Sequence, residues 1–159
     1  MAGRLSAQYE QNNKPQAVHI NFNWSQTPQQ TLITLTSPTG QTLATLLVNA
    51  QRAQLNQTDK PPQFASNVNQ LMSDALGWPL PVAGLRDWLQ GFMDATHDVA
   101  ITPANSADSS FLVDGWNLRY AAWASENNIE RPKRLDLTRQ TGQAGLVTLR
   151  IVIDEWNTQ

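Results

Sequence analysis

Hydrophobic and polar residues alternate along the first sixty positions, as in strands that have one buried and one exposed face. The clearest run places Val18, Ile20, Phe22 and Trp24 between polar neighbours. The predicted strands are 4–9, 18–24, 32–36, 43–49 and 52–58. Ser37, Pro38, Thr39 and Gly40 separate the third strand from the fourth, and Pro and Gly favour a tight turn, so this pair is predicted to form a hairpin.

The period then changes from two to between three and four, which predicts two amphipathic helices. The first is predicted to begin with Ser66 as its N-cap and to end at Gly77. Its apolar positions are Val68, Leu71, Met72, Ala75 and Leu76, and those of the second helix are Val82, Leu85, Trp88, Leu89 and Phe92. Both helices therefore present an apolar face that must be covered.

Strands resume in the last third of the chain. They are predicted at 111–114, 116–123, 134–138 and 146–156, whereas 94–110 is predicted to be a loop with at most one short helix or strand. Turn signals every eight to twelve residues favour a meandering antiparallel sandwich or barrel over alternating strand and helix units. The sequence predicts one domain over 1–159, mainly β, with a helical pair at about 66–92 inserted in the sheet.

Composition narrows the class of protein. The 159 residues carry 11 Lys and Arg against 13 Asp and Glu and no Cys, while 16 Gln and 13 Asn supply much of the polarity. The absence of Cys excludes disulfides, thiol catalysis and thiolate metal sites. The net charge of −2 without a basic run argues against nucleic-acid binding. The longest apolar run, 120–124, is far shorter than the roughly 20 residues of a membrane-spanning helix.

The helical pair has two interpretations that the pattern does not separate. In one, the helices plug a curved sheet and complete an ordinary packed core. In the other, they form a lid over an apolar cavity that binds a hydrophobic ligand. Both interpretations require the same residues to face inward.

A resemblance favours the second interpretation. The string GWPLPVAGLRDWLQG, from Gly77 to Gly91, resembles the lid segment of the LolB family of outer-membrane lipoprotein receptors. Further matching strings occur in order along the chain: GRL, FNWSQ, LTSPTG, WNLRY, RPKRLDL and LRIVIDEW. The resemblance covers nearly the whole chain and is weakest between Asp94 and Ser110.

The resemblance implies a strongly curved, half-open antiparallel β barrel with a helical lid over an apolar cavity. It further implies a non-enzymatic receptor that needs no cofactor or metal. Such a receptor accepts the acyl chains of lipoproteins from a periplasmic LolA-type carrier and passes the lipoproteins to the outer membrane. We expect it to act as a monomer at the periplasmic face of that membrane.

The sequence departs from the family in two places. Family members are anchored through an acylated N-terminal Cys, whereas this chain has none and starts just before its first predicted strand. We therefore expect a soluble form without the lipid anchor of the full-length receptor. The hairpin loop Ser37, Pro38, Thr39 and Gly40 corresponds to the family's membrane-contact loop, which typically carries Leu where this chain has Thr39. Both departures favour an alternative function, a soluble periplasmic carrier or general binder of hydrophobic ligands, and a structural interaction module with a filled core also stays open.

The candidate site residues follow from the resemblance and from the inward positions. The expected acyl-chain site comprises Phe22, Trp24, Met72, Leu76, Leu85, Trp88, Leu89, Trp116 and Tyr120. Arg86 is a candidate for lid closure through hydrogen bonds to rim carbonyls. Ordinary core packing, or a solvated position in the case of Arg86, is the competing interpretation.

Catalytic and metal sites have little support. The histidines are His19, on a predicted strand, and His97, near Asp94 and Asp98 in the predicted loop. Neither has the nucleophile, orienting acid or additional ligands that a hydrolase or a metal centre requires. We therefore predict no enzymatic activity.

Overall fold

A computed structural model describes residues 1–107 and 109–156. The strands are β1 (Ala2–Gln11), β2 (Lys14–Gln26), β3 (Gln30–Thr36), β4 (Thr42–Asn49), β5 (Ala53–Gln57), β6 (Gln63–Ala65), β7 (Phe111–Val113), β8 (Trp116–Glu126), β9 (Ile129–Thr141) and β10 (Gly145–Glu155). The helices are α1 (Val68–Leu76), α2 (Val82–Trp88) and α3 (Pro103–Ser106).

The ten strands form one antiparallel sheet in the order β6-β5-β4-β3-β2-β1-β10-β9-β8-β7. Strand β1 lies at its centre and pairs with both β2 and β10, so the two ends of the chain meet in adjacent strands. The edge strands β6 and β7 are separated by the full width of the sheet, which stays open. The predicted mainly-β, curved, half-open antiparallel sheet with a helical insert is confirmed.

The turns explain how the longest strands pair. Asn12 and Asn13 connect β1 to β2 with φ of 53° and 62°, and Asn127 and Asn128 connect β8 to β9 with φ of 52° and 63°. Two consecutive residues with positive φ match the twist of a two-residue hairpin, and Asn tolerates that conformation better than most residues. The alternation then places one face of each strand against the core.

The alternation predicted from the sequence is present in the structure. On β2, Ile20, Phe22 and Trp24 are buried, while His19 and Asn23 are exposed. The last strand behaves in the same way, with buried residues at 147, 149, 151 and 153. The concave face of the sheet is therefore apolar along nearly its whole width.

Four sequence predictions of local structure need correction. The N-cap of α1 is Asn67 and not Ser66, because the Asn67 side chain accepts the Gln70 amide. Helix α2 ends at Trp88, so the predicted apolar position Phe92 lies beyond it. The short strand β6 follows Pro61 and Pro62 and was not predicted.

The fourth correction concerns β9, which begins at Ile129 rather than near residue 134. Pro132 interrupts the sequence pattern, yet the strand continues through it. The pairing of β8 with β9 shifts register between Ala122 and Trp123, and Trp123 pairs with Pro132 just beyond that shift. Irregular pairing of this kind accommodates a residue that has no N–H to donate.

The predicted loop at 94–110 contains one short helix, α3, and an isolated bridge between Phe92 and Ala100. Residue 108 of that loop, and residues 157–159 of the predicted domain, lie outside the described residues. Over the described part of the chain, no helix is both long and apolar enough to cross a membrane.

Candidate functional site: an apolar cavity beneath a two-helix lid

The two helices of the insert cover the concave face of the sheet. Helix α1 lies against β5 and β6, and α2 lies against α1. Leu71 and Met72 are the buried residues of α1, and Val82, Leu85 and Trp88 are those of α2. The apolar faces predicted from the sequence are thus the faces turned toward the core. We call residues 68–89, which comprise the two helices, their linker and the C-cap residue Leu89, the lid.

Local sequence fixes the shape of the lid. Gly77 ends α1 in the left-handed conformation, with φ of 81°, and the Trp78-Pro79-Leu80-Pro81 linker cannot continue a helix. Gly84 is required for a different reason, because a Cβ there would collide with the Trp88 ring. The Ala83 amide at the start of α2 donates to Asn69 Oδ1 on α1 at 3.2 Å, which ties the two helices together.

A small cavity lies between the lid and the sheet, and we call it the lid cavity. The sheet contributes Leu5, Phe22, Trp24, Ile33, Leu35, Leu46 and Ile151, and the lid contributes Met72, Leu80, Leu85 and Leu89. All eleven lining residues are apolar. The ring N–H of Trp24 donates to Gln26 Oε1 at 3.0 Å, so it does not present a free donor. A purely apolar lining suits a hydrocarbon and stays dry when empty.

The lid cavity is nearly filled by its own lining side chains in this structure. Its free volume is about 30 Å³, enough for about two water molecules. Sites that enclose small organic ligands typically measure about 300 to 1,000 Å³. A long acyl chain therefore enters only if the lid moves away from the sheet.

The structure divides the nine predicted acyl-chain residues into two groups. Phe22, Trp24, Met72, Leu85 and Leu89 line the lid cavity. The other four lie elsewhere in the core: Leu76 is half-buried at the end of α1, Trp88 packs over Gly84, and Trp116 and Tyr120 are buried on β8.

A second cluster of aromatic residues forms beside the lid cavity. The Tyr120 ring stacks on Trp123 at 5.3 Å and meets Phe111 edge-on at 6.5 Å. The Tyr120 hydroxyl donates to the Trp88 carbonyl at 2.5 Å, and the Trp88 ring N–H donates to the Met93 carbonyl at 3.1 Å. Burial raises the pKa of the Tyr120 hydroxyl, so the hydroxyl keeps its proton and remains a donor at neutral pH. The bond from Tyr120 fixes the end of α2 to β8, and the bond to Met93 fixes it to the segment that follows.

Arg86 lies on α2 and is half-buried. Its Nε is buried and has no hydrogen-bond partner among the described residues. Arg86 lines a groove beside the lid, together with Arg131, His97 and Trp24. The expected bond from Arg86 to rim carbonyls stays a prediction.

The hairpin Ser37, Pro38, Thr39 and Gly40 is a tight turn between β3 and β4. The Gly40 amide donates to the Ser37 carbonyl at 2.9 Å, and Gly40 has a φ of 92°. Thr39 is exposed, and its hydroxyl lies 2.9 Å from the Ser37 hydroxyl. The tip of this hairpin is therefore polar.

The histidines occupy unremarkable positions. His19 is exposed on β2. The His97 ring stacks on Phe92, with 4.1 Å between centroids, and its Nε2 lies 3.0 Å from Asp87 Oδ1. Asp94 accepts hydrogen bonds from the Thr96 amide and hydroxyl, which lower the pKa of its carboxyl group. Across residues 1–107 and 109–156, no group of three or more His, Cys, Asp or Glu is arranged to hold a metal ion.

Sequence reasoning missed six residues that line the lid cavity: Leu5, Ile33, Leu35, Leu46, Leu80 and Ile151. All except Leu80 lie on strands, and Ile33, Leu35 and Ile151 share the alternation that identified Phe22 and Trp24. The periodic signal for these residues was present in the sequence. The missing information was which inward positions the lid covers, because that depends on the curvature of the sheet.

Comparison with known proteins gives a consistent result. The family model for the outer membrane lipoprotein LolB matches residues 1–156. The outer-membrane lipoprotein LolB of Cupriavidus pinatubonensis is 37% identical over 158 residues, which cover 96% of this chain and 76% of that protein. The LolB of Ralstonia nicotianae is 37% identical over 161 residues, covering 96% and 77%. That of Bordetella pertussis is 35% identical over 145 residues, covering 89% and 71%.

Proposed function

This chain belongs to the LolB family of outer membrane lipoproteins, and on that premise we propose that it accepts the acyl chains of lipoproteins into the lid cavity and passes the lipoproteins to the outer membrane. Membership in the family supports a general role in the localisation of outer-membrane lipoproteins. The family is one of lipoprotein receptors and transport proteins, not of enzymes. The cargo comes from a periplasmic LolA-type carrier, and the protein works at the periplasmic face of the outer membrane.

The observation that carries this proposal is the all-apolar lining of the lid cavity. Each methylene of an acyl chain moved from water into apolar surroundings contributes about 0.8 kcal/mol. A long chain is therefore never released into water between two proteins, and it must pass directly from one apolar site to another. Each step of about 1.4 kcal/mol in favour of the acceptor gives a tenfold preference, so transfer can proceed without an energy source.

The small free volume of the lid cavity means that its walls must move apart before an acyl chain can bind. Met72, Leu85 and Leu89 on the lid side must separate from Leu35 and Leu46 on the sheet side before a chain can enter. The Ser73 hydroxyl on α1 donates to Gln143 at 3.0 Å, and this bond is exposed to water. Exposed polar bonds cost little to exchange for water, so α1 can move more readily than the end of α2.

The test is a transfer experiment with a lipoprotein-loaded LolA-type carrier. Incubation with this protein should move the cargo to it, as measured by separating the two proteins and blotting for the lipoprotein. Ile33→Phe fills the lid cavity and should reduce transfer at least tenfold. Leu137→Phe overpacks the core on β9, away from the cavity lining, and serves as the matched control for destabilisation. Equal transfer by the two variants would contradict the proposal.

One observation favours a second function, a periplasmic carrier or general binder of hydrophobic ligands. The tip of the β3–β4 hairpin carries the hydroxyls of Ser37 and Thr39 and no large apolar side chain. A polar tip inserts poorly into a bilayer. Cargo that enters this protein but does not move on to liposomes would favour the carrier function.

A further inference from the structure

A large groove lies beside the lid, where the ends of β2 and β10 meet the start of β9 and the end of α2. Its volume is about 680 Å³, far more than that of the lid cavity. Trp24 lines both spaces, so the two share a wall. If the Trp24 ring moves, one ligand can occupy both spaces, with its apolar tail in the lid cavity and its polar end in the groove.

Arg86 gives this groove an unsatisfied donor. Its Nε is buried without a partner among the described residues, although the side chain as a whole is half-buried and lines the groove. Leaving a buried donor unpaired is unfavourable, and folded proteins contain few such groups. A guanidinium in this position offers two donors to a planar or tetrahedral anion.

The groove is also lined by Arg131, Glu130 and His97. The Arg131 guanidinium lies over the Trp156 ring, 5.2 Å from its centroid. His97 is paired with Asp87. Within the described part of the chain, neither Arg86 nor Arg131 is found in an ion pair. Two guanidinium groups thus share the groove with the single carboxylate of Glu130, and an anion is the complementary ligand.

We propose that Arg86 and Arg131 form a subsite for the phosphate of an anionic single-chain or double-chain lipid, one tail of which occupies the lid cavity. The inference rests on the proposed function, because it requires a tail in that cavity. It adds a head-group preference that an apolar cavity alone cannot supply. The phosphate accepts hydrogen bonds from the guanidinium groups of Arg86 and Arg131, while Trp24 lies where the tail meets the head group.

The experiment compares two lipids with the same tail and glycerol. Palmitoyl-lysophosphatidic acid carries the phosphate, and monopalmitoylglycerol lacks it. Dissociation constants are measured below the critical micelle concentration by quenching of tryptophan fluorescence, with inorganic phosphate as a third ligand. We expect the phosphate lipid to bind about tenfold more tightly than the neutral one, because hydrogen bonds to charged groups are stronger than neutral ones.

Substitutions identify the subsite. Arg86→Gln and Arg131→Gln should each reduce the ratio of the two dissociation constants, and the double variant should bring it to about one. Arg86→Lys keeps the positive charge but loses the two parallel N–H donors of the guanidinium, so it should retain part of the preference for the phosphate lipid. Arg119→Gln, at an exposed arginine on β8 outside the groove, is the matched control and should leave the ratio unchanged.

The possible results distinguish a failure of the phosphate subsite from a failure of the proposed function. Saturable binding of both lipids with equal affinity would refute the phosphate subsite but not the proposed function. A preference for the phosphate lipid that survives in the double variant would also refute the subsite alone. Binding of inorganic phosphate as tight as that of the phosphate lipid would overturn the coupling to a tail. Failure of both lipids to bind would refute the proposed function itself.

Discussion

Two regions of the same sheet bury aromatic residues at alternating strand positions, yet they are packed differently. In the cavity half, formed by β1 to β4, Phe22 and Trp24 border free space beneath the lid. In the packed half, formed by β7 to β9, Tyr120 contacts Phe111 and Trp123 and bonds to the Trp88 carbonyl. The end of α2 is thus fixed by a hydrogen bond, whereas the lid residues that line the cavity face only apolar residues of its lining.

This difference shows what decides whether an inward-facing aromatic residue serves packing or binding. A polar atom with a partner on the lid holds the two surfaces together, as the Tyr120 hydroxyl does. The polar atom of Trp24 is satisfied by Gln26 on its own strand and makes no such connection. Apolar contacts are non-directional, so an acyl chain can replace them with little loss.

Trp88→Ala should cause the largest loss of stability among the substitutions that test this difference between the two halves. Trp88 is 1% exposed and its ring N–H donates to the Met93 carbonyl, so removal of the ring should lower the free energy of unfolding by about 4 to 5 kcal/mol. Urea denaturation followed by far-UV circular dichroism measures this loss. The protein should remain folded in water if its stability is typical of a domain of this size. A loss below about 1 kcal/mol would mean that the Trp88 ring is not packed into the core beneath the lid.

A matched pair of leucines tests the free space directly. Leu118 in the packed half is completely buried, and Leu85 is 2% exposed but borders the lid cavity. Leu118→Ala should lower the free energy of unfolding by about 4 kcal/mol and Leu85→Ala by about 3 kcal/mol, because a side chain beside a void has fewer contacts to lose. The same denaturation experiment measures both. Equal or reversed losses would show that the two halves are packed alike.

Tyr120→Phe removes one hydroxyl and leaves the ring in place. The Trp88 carbonyl would lose one of its two donors and keep the Gly91 amide, so we expect the free energy of unfolding to fall by about 1 kcal/mol. Amide hydrogen exchange should show faster opening of α2, with β1 and β2 unaffected. Phe111→Leu, which changes a neighbouring ring without touching this bond, is the control. If exchange in α2 does not change, the bond does not hold the lid.

Sequence reasoning identified most of the fold because the relevant signals are local. The alternation on β2 and the spacing of apolar residues on α1 each predict an element and its buried face. The N-cap at Asn67 and the passage of β9 through Pro132 were missed, because both depend on a specific contact. At the N-cap, the Asn67 side chain bonds a particular backbone amide. In β9, a register shift accommodates the proline, which has no N–H.

The site was predictable only in part for the same reason. Phe22 and Trp116 look alike in the sequence, as aromatic residues at inward strand positions, and only Phe22 lines the lid cavity. Which of them lies beneath the lid beside free space depends on the curvature of the sheet and on where α2 is fixed. That position is set by the bond from Tyr120 to Trp88 across 32 positions of sequence, and no local pattern encodes it.

The smallest expected effect on stability comes from Thr39→Leu, which asks whether the cavity half also carries the contact with the membrane. The hairpin tip joins β3 and β4, whose Ile33, Leu35 and Leu46 line the lid cavity. Because Thr39 is exposed, its replacement should change the free energy of unfolding by no more than about 0.5 kcal/mol. A leucine that enters the bilayer in part gains about 1.4 kcal/mol, so co-sedimentation with liposomes should rise by up to about tenfold and delivery of cargo should rise with it.

Ser125→Leu adds the same side chain at an exposed position on β8 in the packed half and should have no such effect. If both variants bind liposomes equally, the added leucine acts as a general apolar group, and the hairpin of the cavity half has no special role at the membrane.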